Sequence, residues 1–232
     1  IDAWVDLDRL SAFFHLKPGT ITAVTVSSID SFFIIVFQLY ISYITMKIKP
    51  LTSIMSGTAV IGIGLLLMFT TFNPWIVIFG ILVFGVGEMA SSPKCQEYIG
   101  RIAPPDKKAL YMGTYFLPIG FGHMLAGWIS GKPYEIIADK YYLLQKAVAA
   151  KGFDIQPVSD TFTQTQYFEK AQQLFGMDSS QLNNYLWTIY HPSSVWIIFT
   201  GMAIGAAVLL FAYDRIILGG NEFRHKSADA IE

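Results

Sequence analysis

Four stretches of this chain, 51–72, 74–93, 109–130 and 194–213, are apolar for about the length that crosses a bilayer, which takes roughly 20 mostly apolar residues. A fifth, around 21–46, begins more polar. Apolar runs of this length exclude an ordinary soluble domain. The 232 residues are 53% hydrophobic but only 14% charged, well below the roughly 25% charge of soluble domains. The expected fold class is therefore all-α, a polytopic membrane bundle with about five transmembrane helices. With a net charge of −1, nucleic acid is not an expected partner. One cysteine, Cys95, leaves no internal disulfide to form. The lipid bilayer is the first partner that the sequence implies.

Turn signals divide the chain. Residues 1–20 read as an extracytoplasmic loop and 21–130 as four spans. The stretch 131–192 is polar and tyrosine-rich, too long for a plain loop, and reads as an extracytoplasmic helical excursion. Residues 193–218 form the last span and 219–232 a cytoplasmic tail. Inside the excursion, Gly152 looks like a helix stop and Asp178 or Ser179 like a helix cap. The basic residues sort to one side: Lys47 and Lys49, then Lys94, Arg101, Lys107 and Lys108, then Arg215, Arg224 and Lys226. By the positive-inside bias that side is cytoplasmic, which puts the C-terminus inside and residue 1 outside. An opening Ile1 and an odd number of spans lead to the expectation that a helix precedes this chain.

Within the spans, the polar residues carry the functional signal. Glu88 lies about 14 residues, or roughly 21 Å, into its helix. Ser91, Ser92 and Cys95 follow at i+3, i+4 and i+7 on the same face. An intramembrane acid is costly unless it meets a cavity or a partner. Glu88 is thus expected to contact substrate or carry a proton, the alternative being a structural acid held by a hidden lysine or arginine. Asp30 has two readings. As an N-cap it would begin a helix of about 17 residues, roughly 25 Å and too short to span; a start near Ile21 gives about 39 Å and places Asp30 inside the span. The longer helix is favoured. Glu97, with Arg101 at i+4, suggests a gate or an end-of-helix ion pair. His123 is a proton-carrier candidate or a packed histidine. Tyr115 lines a cavity or sits in the interfacial belt. Pro118, with glycines around it, predicts a bend, and Pro93 lies within the Glu88 helix. No metal or cofactor spacing and no enzyme signature is present, so the expectation is a non-enzyme without cofactors.

At 87–105 the segment "GEMASSPKCQEYIGRIAPP", with "ALYMGTYFLPIGFGHMLAG" after it, resembles the tenth and eleventh helices of proton-dependent oligopeptide transporters, a branch of the major facilitator superfamily. Gly87, Glu88, Ser92, Pro93, Ala103 and Pro104 carry the first likeness, and "SSIDSFFII" is similar to the family's eighth-helix segment. The resemblance implies helices 8–12 of a twelve-helix transporter, partnered by an N-terminal six-helix bundle. It implies proton-coupled symport of di- or tripeptides, or a similar small solute, by alternating access in an inner or plasma membrane. Glu88 then matches the glutamate that receives the peptide amino terminus, and Asp30 the asparagine that assists it. Ser91, Ser92 and Tyr115 complete the expected substrate contacts. Glu88, Asp30 and His123 are the expected proton-linked groups. Glu97, Arg101, Pro93 and Pro118 are the expected gate or hinge. The sequence departs from the family at Asp30, Ser31, Glu97, Tyr115 and His123, and in the 131–192 excursion. The alternative function is a non-transporting membrane subunit that docks an extracytoplasmic protein partner through 131–192.

Overall fold

The computed structural model describes residues 4–5, 7–17, 19–69 and 73–217. The 219–232 tail with Arg224 and Lys226, and part of the turn before Pro74, lie outside the described residues. Helices account for nearly all of the described chain: α1 Asp8–Phe13, α2 Ala23–Thr45, α3 Pro50–Phe69, α4 Pro74–Ile102, α5 Lys108–Thr114, α6 Phe116–Ser130, α7 Lys132–Ala138, α8 Lys140–Ala150, α9 Gln164–Phe175, α10 Ser179–Tyr190 and α11 Ser194–Ile216. Four of them, α2, α3, α4 and α11, are long and apolar enough to cross a membrane. With the all-helical fold, they make the chain an integral membrane protein.

The expected span over 109–130 arrives in two pieces, α5 and α6, that part at Tyr115. Pro118 explains the position of the break. It has no N–H to offer the Thr114 carbonyl four residues back, so the ladder fails one turn before the proline. The α2 helix starts at a capping box. The Thr22 side chain accepts from the Thr25 N–H while the Thr25 hydroxyl accepts from the Thr22 N–H. Asp30 therefore sits inside the helix. The α4 helix starts from Asn73, whose side chain accepts from the Trp75 N–H at 3.1 Å, with Pro74 pre-set at the first helical position.

Lipid removes the hydrophobic drive between helices, so α3 and α4 associate by backbone proximity. A Cβ at Gly87 would stand 2.6 Å from the Gly57 carbonyl oxygen, and one at Gly64 would stand 2.6 Å from the Phe84 nitrogen. The α11 helix packs on the opposite flank of α3, where a Cβ at Gly62 would make ordinary contact with Ala203 at 3.5 Å. Within α11, a Cβ at Gly201 or Gly205 would meet nothing within 4 Å among the described residues.

The described residues between 4 and 22 form a strap. Leu7 and Leu10 bury against Val26 of α2 and Val77 and Ile81 of α4, and the Phe13 ring meets Trp75 edge-on at 4.9 Å. The contact seats α1 where α2 and α4 begin, on the side where the 131–192 excursion emerges. Upstream, Trp4 leaves the bundle. Its indole N–H donates to the Ala138 carbonyl at 2.9 Å, and its ring meets Trp187 at 5.6 Å.

The excursion is a small helical module with its own core, made of Leu144, Ala147, Val148, Tyr167, Ala171, Leu182 and Leu186. Asp139 separates α7 from α8 by capping α8 through the Tyr142 N–H. Gly152, at φ +71°, turns the chain just beyond α8, and Asp178 caps α10. The Thr163–Gln166 capping box begins α9, which lies between α8 and α10 in the chain.

Candidate functional site

Two carboxylates lie on the neighbouring helices α2 and α4. Asp30 is the eighth residue of α2 and Glu88 the fifteenth of α4, and they are near enough for their charges to interact. The junction depends on Gly85, one turn before Glu88. A Cβ at Gly85 would lie 2.7 Å from Asp30 Oδ1, so only a bare α-carbon lets this carboxylate lie against the α4 backbone. Asp30 Oδ1 is buried and has no hydrogen-bond partner.

Among the described residues, no lysine or arginine forms an ion pair with either acid. The nearest cation along α4 is committed elsewhere. Lys94, only 6% exposed, donates to Glu97 Oε2 at 2.6 Å, and Arg101 holds the other Glu97 oxygen. Two acids on one helix thus have opposite environments. Glu97 is clamped between cations near the helix end, and Glu88 is left half-buried beside another acid.

The other expected site residues divide. Ser91 is buried and donates its hydroxyl to the Gly87 carbonyl at 2.8 Å, against α3. Ser92 and Pro93 are exposed and Cys95 is half-buried, so the residues of the expected polar stripe do not share one environment. Pro93 takes away the N–H that the Met89 carbonyl would accept from, yet α4 runs on to Ile102. Tyr115, at the α5–α6 break, reaches Gln96 and Cys95 of α4. His123 is exposed on α6, as is nearly every residue of that helix, whose main packing partner beyond α5 is α7. The structure thus gathers Asp30 and Glu88, leaves Tyr115 farther along α4, and sets His123 apart.

Two residues at the site went unread in the sequence. Lys94 counted as a loop-side charge, although its i+3 spacing to Glu97 was a usable signal. Gly85 carries no local signal that would mark it as the seat of Asp30, 55 positions earlier on another helix. No group of three or more histidine, cysteine, aspartate or glutamate side chains is placed to hold a metal among the described residues.

Chemically, two close acids with no cation can hold a cationic group between them, or retain a proton that such a group displaces. A family model described as Major Facilitator Superfamily matches residues 5–140, more than half of the chain. Comparisons with curated proteins and with solved structures give no match.

Proposed function

The chain belongs to the major facilitator superfamily, and from that premise we propose that it is part of a proton-coupled symporter whose working carboxylates are Glu88 and Asp30. The solute is a di- or tripeptide, or a small molecule with a similar cationic end. Glu88 receives that end, and Asp30, seated by Gly85, adds the second negative charge. With two acids, one carboxyl carries the proton while the other pairs with the cationic end, so that proton and solute cross together. A second six-helix bundle closes the cavity from the other side, and alternating access exposes it to each face of the membrane in turn. The strap and the module face the extracytoplasmic side, and the C-terminus the cytoplasm.

The observation that carries the reading is that, among the described residues, Asp30 and Glu88 have no ion-pair partner while Glu97 is fully paired. A structural acid would be expected in the second condition, because an unpaired buried charge is costly. The test is uptake of a labelled dipeptide into proteoliposomes under an inward proton gradient. Glu88→Gln should abolish accumulation, and Asp30→Asn should reduce it at least several-fold. Accumulation unchanged by Glu88→Gln would remove these acids from the mechanism.

A further inference from the structure

A cavity of about 630 Å³ lies between the strap and the module, outside the membrane bundle. That volume falls within the range of small-molecule sites. Trp4 and Trp187, crossed at 65°, supply aromatic surface to its wall. Lys140 and Asn183 line it from the module, and Asp8 and Arg9 from the strap.

Two of these groups lack the partners that burial demands. The Lys140 ammonium lies 4.3 Å from the centre of the Phe168 ring, and no carboxylate pairs with it among the described residues. Asp8 does not reach across to it; its Oδ1 accepts from the Gly19 N–H at 2.9 Å. Asn183 Oδ1 is buried and accepts no hydrogen bond from the described residues. Burial pushes the Lys140 ammonium down to about 8 from 10.5, so this cation would gain from an anion. A buried acceptor left empty gains in the same way from a donor. Both groups belong to one wall of one cavity.

We propose that this cavity is a binding site for a small carboxylate that also carries an N–H or O–H donor. The carboxylate pairs with Lys140, the donor serves Asn183, and the body of the molecule lies against the tryptophans. A sugar acid and a peptide carboxy terminus both have this chemistry. The site does not rest on the transport reading, since none of its residues is on α2 or α4.

The test is a titration of the whole protein in nanodiscs, followed by tryptophan fluorescence, with D-glucuronate against D-glucose. In a parallel arm, on Glu88→Gln protein so that the membrane acids are altered, L-alanyl-L-alanine is set against its carboxamide. Saturable binding of glucuronate, of the dipeptide, or of both is expected, and which one binds identifies the source. The neutralised counterparts should bind at least ten-fold more weakly. Lys140→Met should weaken carboxylate binding at least ten-fold, and Lys140→Arg should retain most of it. Near-UV circular dichroism of both variants establishes that the module is still folded, and the arginine variant carries the test if the methionine variant is not. Equal binding of acid and neutral probes, binding indifferent to Lys140→Met in a folded module, or no saturation by either carboxylate would overturn the proposal.

Discussion

The membrane bundle and the module are both helical, and they are held together in opposite ways. In the bundle, α3 and α4 meet backbone to backbone at Gly57, Gly64 and Gly87, and large apolar side chains such as Phe79, Ile63 and Leu209 point outward. In the module the backbones stay apart. Leu144, Leu182 and Leu186 fill the space between them, and hydrogen-bonded caps set the helix starts. The difference is the solvent. Lipid gives no reward for burying a leucine, so close approach and dispersion must hold the helices. Water rewards it at about 25 cal/mol per Å² of apolar surface, so the module can afford a side-chain core.

Substitutions can break this contrast, and the largest effect should be in the bundle. Gly64→Val places a side chain within 2.6 Å of the Phe84 backbone, where no rotamer gives relief. Overpacking costs about 1–3 kcal/mol when neighbours can shift, and here the neighbour is a helix backbone. Loss of monodisperse protein in size-exclusion chromatography is expected, with Gly205→Val as a control that meets nothing within 4 Å. Next comes Leu182→Ala in the fully buried module core. It should destabilise the module by about 2–5 kcal/mol, read as faster hydrogen exchange over 140–190 with α3 and α4 unchanged. Asp178→Ala removes the cap of α10 and should cost about 1 kcal/mol, seen in the same exchange experiment as a local change at that helix start.

A gentler probe is pH. Lys140 loses its proton near about 8 in the folded module and near 10.5 when unfolded. Between those values the unfolded chain binds more protons, so the Lys140 contribution should raise module stability as pH climbs from about 8 to 10.5. Partial exposure of the side chain trims the effect. Thermal unfolding monitored through tryptophan fluorescence checks it, and Lys140→Met should remove that slope.

What the sequence disclosed follows the same division. Four of the five expected spans were legible because lipid imposes length and apolarity on every residue of them, while the one expected over 109–130 is divided at Tyr115. Glu88 stood out for the same reason, as a charge within an uncharged run. The bend near Pro118 was legible too, since the missing N–H acts locally. Partners far apart in the chain were not. The Trp4–Ala138 hydrogen bond spans 134 positions, and the burial of Lys94 depends on where the rest of the bundle lies. The α2 start was legible as well: a start near Ile21 was favoured over a cap at Asp30, and the Thr22–Thr25 pair begins the helix at Ala23.

The central claim is that Glu88 is an unpaired, working carboxyl while Glu97 on the same helix is a paired, structural one. Labelling the protein in its membrane with a hydrophobic carbodiimide, and locating the adduct by peptide mass spectrometry, tests it most directly. The account predicts an adduct at Glu88 that a dipeptide suppresses, with Glu97 unlabelled in its clamp between Lys94 and Arg101. Labelling of Glu97 with Glu88 untouched would contradict it.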